Sequence, residues 1–191
     1  MPKKKMNEVS KKVIEAKVLQ KKLMKNPYKR NKRELDQLLE DNPDLDRTDI
    51  DILSALQMDG RASFNTIAET LGLSVATVSK RVSKLEEHGV LSGFSAVVVC
   101  EKLGFKENLW LMLYLQPGSD VDNIGNKVSR LRGVKCVYSL FSDFDLLAHI
   151  CCATSQEIDN AIQTIGSIEG VVKVTKMSVY KKIKEDFRVQ I

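Results

Sequence analysis

The chain repeats itself at an interval of 37 residues across its second half. Leu109 meets Leu146, Val121-Asp122-Asn123 meets Ile158-Asp159-Asn160, and Val128 meets Ile165. Leu131, Gly133, Val134 and Val137 meet Ile168, Gly170, Val171 and Val174. Each unit reads strand, turn, helix, glycine, strand. Two such units in tandem predict β-α-β-β-α-β, the ferredoxin-like α/β sandwich, and two copies are too few for a solenoid. The first strand adds a constraint. In "NLWLMLYLQP", Leu109, Leu111, Leu113 and Leu115 face one way, and Trp110, Met112 and Tyr114 face the other. The two helices of a lone sandwich cover one face only. An apolar second face is therefore expected to meet another sheet, which predicts a homodimer. The alternative is that helices at the N-terminus of the same chain cover it.

The preceding segment has a helical texture. "DRTDIDILSALQMDG" sets Ile50, Leu53, Leu56 and Gln57 on one face with Ile52 flanking it. Ser63 caps "FNTIAETLG", whose inner face is Phe64, Ile67, Ala68 and Leu71, and Gly72 ends it. Ser74 then caps a third helix, "VATVSKRVSKLEEHG", with an apolar stripe at Val75, Val78, Val82 and Leu85. Tight turns between short helices predict a helix-turn-helix. The β-rich "VLSGFSAVVV", with a turn at Gly93, predicts two short strands as a wing. A recognition helix enters the major groove with its N-terminal residues near base edges. Ser74, Ala76, Thr77, Lys80, Arg81 and Lys84 are the candidate DNA-binding residues. Ala76 and Thr77 are small enough for close approach, Lys80 and Lys84 reach phosphates or guanine, and Arg81 reaches a phosphate from the rim of the stripe. A plain helical hairpin on a protein-binding module is the simpler alternative.

Charge is unevenly placed. Residues 1–33 hold 13 Lys or Arg against Glu8 and Glu15, a balance of +11 in a chain of net charge +5, so the remainder is acidic at −6. A basic end on an acidic body suits a polyanion, or it serves as a solubilising tail. Residues 7–25 predict a basic amphipathic helix with a thin seam at Val9, Val13, Ala16, Leu19 or Gln20, and Leu23, and residues 33–41 a second short helix. Both are expected to be an appendage or a docking element. The start of the chain lacks the apolar core of an export signal, and "LWLMLYL" is too short to span a bilayer, so no membrane is expected. Cys100, Cys136, Cys151 and Cys152 form no CxxC pair, which suits reduced thiols in the cytoplasm. His88 and His149 lie in unrelated contexts, so no metal is expected. There is no P-loop, GxGxxG or GxSxG, and Asp143 and Asp145 of "SDFD" read as turn chemistry. Neither a cofactor nor an enzyme activity is expected.

Two stretches carry a family resemblance: "LDRTDIDILSALQMDGRASFNTIAETLGLSVATVSKRVSKLEEHGVLSGFSA" and "VKCVYSLFSDFDLLAHI". From residue 45 to about 185 the chain resembles the Lrp/AsnC, or feast/famine, transcription regulators of bacteria and archaea. The resemblance implies an α+β chain, with a winged helix-turn-helix and hinge strand followed by a RAM-type ferredoxin-like domain that dimerises through its sheet. It also implies tetramers or octamers of dimers and, in some members, amino-acid effectors. Members often carry a Thr-Gly-Asp-Tyr-Asp-like turn beside the effector pocket. Here that place reads Phe141, Ser142, Asp143, Phe144, Asp145, so Ser142, Asp143, Phe144 and Asp145 are the candidate effector residues. Ser in place of Gly removes room for close backbone approach, which weighs against amino-acid sensing. The basic N-terminal segment departs from the typical family pattern. The expected domains are a basic extension at 1–45, the winged helix-turn-helix with hinge strand at 46–105, and the RAM-like domain at 106–191. The expected function is sequence-specific regulation of transcription on double-stranded DNA in the nucleoid, with the helix near 74–88 in the major groove. A low-specificity, nucleoid-type DNA-organising protein that uses the basic arm is the alternative.

Overall fold

The structure, a computed structural model, describes residues 8–105 and 107–191, with side chains from Lys11 onward. Lys3, Lys4 and Lys5 of the basic arm, and the side chain of Val9, lie outside the described residues. The chain divides into two compact units. One runs to Ala96 and includes Asp186–Ile191, and the other is Val97–Glu185. No described helix is long and apolar enough to cross a membrane.

The first unit is helical: α1 Glu8–Met24, α2 Lys32–Asp41, α3 Arg47–Met58, α4 Phe64–Leu71 and α5 Val75–Glu87. Side-chain caps start four of them. Asn31 and Glu34 form a capping box on α2, Asp46 and Asp49 form one on α3, and Ser63 and Ser74 cap α4 and α5. These caps satisfy backbone N–H groups that have no helical partner. α3 is the central post. Ile52, expected on its flank, is fully buried together with Ala55, and both join Leu56, Ile67, Ala68, Val78 and Val82 in one core. Leu19 of α1 is 2% exposed and belongs to that core.

The N-terminal helix is thus part of this unit rather than an appendage. α1 lies along α4 and α3, with Leu23 packed on the core. Lys22 pairs with Asp59 at 2.6 Å, and the Thr70 hydroxyl donates to the Ala16 carbonyl at 3.4 Å. An isolated helix of this length is marginal in water, and burying one leucine side chain is worth about 1.5–3 kcal/mol. The expected seam holds at Ala16, Leu19 and Leu23 but not at Val13, which is exposed. Residues 186–191 close the unit. The N–H of Arg30 donates to the Ile191 carbonyl (3.2 Å) and that of Ile191 to the Tyr28 carbonyl (3.0 Å). The side chain of Gln57 meets both backbone groups of Val189.

The predicted wing is not formed. Residues 90–99 contain no strand, and Phe94, Val97, Val98 and Val99 are exposed. β-Branched residues favour extended backbone, but a strand exists only where a ladder partner accepts it, and residues 90–99 have none among the described residues. The hinge strand is absent for the same reason.

The second unit opens with a 3-10 turn, Cys100–Leu103, and continues β1 Glu107–Leu115, α6 Val121–Ser129, β2 Val134–Ser139, β3 Leu146–Cys152, α7 Ser155–Gly166 and β4 Val171–Ser178. The sheet is antiparallel in the order β2-β3-β1-β4. This is the β-α-β-β-α-β arrangement that the repeat predicts, with β2 and β4 starting 37 residues apart. Gly133 and Gly170 show why the repeat keeps a glycine there. Both have positive φ, 86° and 92°. A Cβ on Gly133 would lie 2.9 Å from Cys152 Sγ, and one on Gly170 would lie 2.7 Å from Ser119 Oγ. Leu109, Leu111, Leu113, Leu146, Ala148 and Ile150 pack beneath Ile124, Val128, Ile158 and Ile165 of the two helices.

Candidate nucleic-acid interface

The surface of α5 is set by what its other side buries. Val78, Val82 and Leu85 are buried against the core. Gly72, in the left-handed region at φ 70°, turns the chain from α4 so that the N-terminus of α5 is presented outward. Ala76, Lys80 and Ser83 form an exposed line along the outer side, flanked by Ser79 and Lys84. Val75 was expected in the apolar stripe, yet it is 43% exposed. It occupies the first helical position, one turn ahead of the first buried residue, Val78.

The six candidate residues fall into different environments. Ser74 Oγ accepts from the Thr77 N–H (3.0 Å) and shares a hydrogen bond with the Thr77 hydroxyl (2.7 Å). Ser74 therefore holds the helix start, and the hydroxyl of half-buried Thr77 is engaged there. Ala76 is exposed, and Lys80 is exposed without a partner among the described residues. Lys84 is exposed and donates to the Asp44 carbonyl at 2.7 Å.

Arg81 is engaged within its own unit. Its guanidinium turns back to the start of α3, meeting Asp46 at 2.6 Å and Asp49 at 3.0 Å. Asp49 is 1% exposed, and a buried carboxylate without a partner is costly. The rim position serves to neutralise it. The hydrogen bonds to Asp49 and Asp46 raise the Arg81 pKa. Asp46 feels partial desolvation, which opposes ionisation, but the Arg81 hydrogen bond and backbone donors outweigh it and lower its pKa. Sequence reasoning missed Asp49 as the partner, although the capping box that places it is legible in "DRTD".

The candidate effector turn lies in the second unit. Ser142 and Asp143 are exposed. The Ser142 hydroxyl donates to the Phe144 carbonyl and accepts from the Phe144 N–H. Phe144 meets the Tyr114 ring edge-on at 6.3 Å. The Asp145 carboxylate accepts the Leu115 N–H at 2.7 Å, and the Asp145 N–H donates to the Leu113 carbonyl at 3.0 Å. Asp145 thus extends the pairing of β1, and Phe141 is fully exposed beside it. A hollow of about 310 Å³ lies at the next turn, lined by residues that include Gln116, Gly118, Asp120, Asn123, Lys127 and Gly170.

The sheet face away from the helices is half-exposed at Trp110, Met112, Tyr114 and Leu147. Trp110 stacks on His149 with ring centroids 4.7 Å apart, and His149 bonds to Asn108. Burial, then the nearby Lys135 charge, holds His149 below the usual histidine pKa.

Comparison with known proteins gives the same two-part division. Residues 45–86 match the AsnC-type helix-turn-helix domain, and residues 110–189 match the Lrp/AsnC ligand binding domain. The chain is 31% identical over 147 residues to the HTH-type transcriptional regulator FL11 of Pyrococcus horikoshii, covering 77% of this chain and 97% of that protein. Among solved structures, the leucine response regulatory protein LrpA of Mycobacterium tuberculosis superposes with a TM-score of 0.70 at 23% identity, over 77% of this chain and 100% of that one. The transcriptional regulator NMB0573 of Neisseria meningitidis, solved as its L-Met complex, superposes at 0.67 with 23% identity, over 75% of this chain and 94% of that one. The basic segment ahead of residue 45 precedes both family matches.

Proposed function

Because this chain belongs to the Lrp/AsnC family of transcriptional regulators, we propose that it binds specific duplex DNA as a homodimer, with α5 in the major groove. It is a regulator with a helix-turn-helix DNA-binding domain, and its relatives are regulators rather than enzymes. The observation that carries the finer reading is the exposed line Ala76, Lys80, Ser83 on a helix whose opposite side is buried. Small side chains let the backbone approach base edges, and Lys80 reaches guanine or a phosphate. Ser74 and Thr77 act mainly by holding the helix start. Val75 offers methyl groups to thymine. Replacing Ala76 with Glu tests this: a carboxylate among phosphates should cost specific binding at least tenfold, without change in secondary structure or oligomeric state. Unchanged affinity would remove α5 from the interface.

Dimerisation through the open sheet face is supported by the half-exposed Trp110, Met112 and Tyr114. Higher assembly into tetramers or octamers rests on the family alone. A small-molecule effector is supported by the L-Met complex of the Neisseria protein. The Asp145 carboxylate is occupied by backbone here, which leaves Ser142, Asp143 and Phe144 as the weaker part of that reading. A DNA partner supports a cytoplasmic, nucleoid-associated location. A second reading, low-specificity DNA organisation, is favoured by exposed Lys11, Lys12, Lys17, Lys21 and Lys25 on α1. α1 carries Leu19 into the core, so the charges must be tested without deleting the helix. A variant with Lys11, Lys17 and Lys21 changed to Gln separates the readings. Loss of random-duplex binding with the consensus kept assigns α1 to the phosphates.

A further inference from the structure

Residues 186–191 belong to the first unit, although the whole of the second unit separates them from it in sequence. The chain therefore passes between the units twice, after Ala96 and after Glu185. Burial does not explain the return. Phe187 is 77% exposed and Val189 60%. Polar contacts to Tyr28, Arg30 and Gln57 hold the segment instead.

The Ile191 backbone bonds both neighbours of Lys29, as one extended chain does beside another. Its N–H donates to the Tyr28 carbonyl at 3.0 Å, and its carbonyl accepts the Arg30 N–H at 3.2 Å. Arg30 Nε donates to the Gln190 carbonyl at 2.8 Å. The Gln57 amide, in the last turn of α3, meets Val189 as a peptide group would. It accepts the Val189 N–H at 2.6 Å and donates to the Val189 carbonyl at 3.2 Å. The Tyr28 ring is held from two sides. Its hydroxyl donates to the Asp186 carboxylate, and the Arg188 guanidinium lies over its face, 4.6 Å from the centroid. Arg188 also pairs with Asp186 at 2.9 Å, so the two residues grip the ring together. Ile191 is half-buried and lines a small hollow with Leu23, Leu35 and Ile50. Tyr28 and Arg30 lie in the segment ahead of both family matches, so that segment supplies most of the seat.

We propose that residues 186–191 are a strap that docks on Tyr28, Arg30 and Gln57 and limits how far the DNA-reading head swings from the sheet domain. The proposal rests on the reading of the chain as a dimer that inserts α5 into DNA. Residues 90–99 form no strand, and such a connection alone leaves the head free to turn. The strap adds a second one. Residues 179–185 separate β4 from the strap, and fully extended they reach about 25 Å. The strap grips α3 in its last turn, while Arg81 of α5 grips the start of the same helix. Strap, α3 and α5 therefore move as one body. Hydrogen bonds and an exposed ion pair hold weakly in water, so the strap opens without unfolding the head. A dimer with both straps closed accepts a narrow range of half-site spacings, and one with open straps a wider range.

The test uses the full-length protein and the double variant Gln57→Ala, Arg188→Ala, which removes the Val189 bonds and part of the grip on Tyr28 but no buried side chain. Hydrogen exchange without DNA decides the docking. In the wild type the Val189 and Ile191 amides should exchange at least about tenfold more slowly than in the variant, with α3, α4 and α5 alike in both. Exchange at the free-peptide rate in the wild type, or equal protection in the two proteins, would overturn the proposal. Binding to duplexes with paired half-sites decides the role. Moving the half-sites apart by about half a turn, ~5 base pairs, should weaken wild-type binding at least about tenfold and variant binding about threefold or less. Affinity for a single half-site should be the same in both, which separates lost spacing control from a general loss of DNA binding. Equal spacing dependence in the two proteins would also overturn the proposal. If the wild type selects no sequence, the DNA reading fails and the spacing role with it, whereas the exchange result separately shows whether the strap docks.

Discussion

The outer side of α5 and the open face of the sheet are both uncovered, but their chemistry differs. The α5 surface is made of Ala76, Ser79, Lys80 and Ser83, while the sheet surface is made of Trp110, Met112, Tyr114 and Leu147. The first buries little area and offers cations and small side chains, which suits a polyanion that supplies its own shape and charge. The second offers aromatic and aliphatic area, with the His149 ring bonded to Asn108, which suits another protein surface. Their supports differ as well. α5 is held by buried Val78, Val82 and Leu85 and also by charge, Arg81 to Asp46 and Asp49, whereas the sheet is held by its buried leucines and glycine turns. The lesson is that position on the fold does not decide what an open face binds. The residue types left on it do.

The largest effect that would break this contrast is on the sheet. Met112→Asp should weaken the dimer by at least a hundredfold, because a lone carboxylate in an apolar contact is costly, while α5 keeps its helicity. Sedimentation checks it, and a mutant dimer of unchanged affinity would assign the face another role. Next comes Arg81→Ala. It leaves buried Asp49 with its backbone donor but no cation, so thermal or urea unfolding of the first unit should lose about 1–3 kcal/mol. The salt slope of DNA binding should stay unchanged, since Arg81 is turned inward.

The same ion pair predicts a pH dependence. The Asp46 carboxyl is held below its ordinary pKa in the folded chain. Its contribution is fully present above the unfolded aspartate pKa and is lost as pH falls through the lower folded value. Urea midpoints of the wild type should therefore drop through the acidic aspartate range more steeply than those of Asp46→Asn. A smaller effect is expected for Lys84→Ala. If the Lys84 ammonium leaves the Asp44 carbonyl for a phosphate on binding, its loss should reduce the slope of log affinity against log salt by about 0.9 while leaving base preference alone.

The sheet domain was legible because the repeat, the alternation at 109–115 and the paired glycines all encode one topology, and each constraint is local. The helix-turn-helix was legible for a similar reason, since Ser63, Gly72, Ser74 and Gly89 punctuate it. What escaped were facts that depend on a partner element. The strand propensity of residues 90–99 says nothing about whether a ladder neighbour exists. Leu19 reads as one residue of a thin seam until α3 and α4 receive it. Arg81 looks available until a buried Asp49 requires it. At the DNA surface, Val75 sits on the right side of the helical wheel for burial, but the wheel does not record where the core ends.

The most direct test of the central claim is the sequence bound by wild-type protein and by Lys80→Ala, selected in parallel from a random duplex pool. If α5 reads the major groove as part of a dimer, the wild type should return paired half-sites spaced by about one helical turn or a multiple, ~10 base pairs centre to centre. Lys80→Ala should relax one position in each half-site by about 1–3 kcal/mol or, if Lys80 holds a phosphate, weaken binding to every sequence equally. Identical consensus and identical affinity in both proteins would contradict the account.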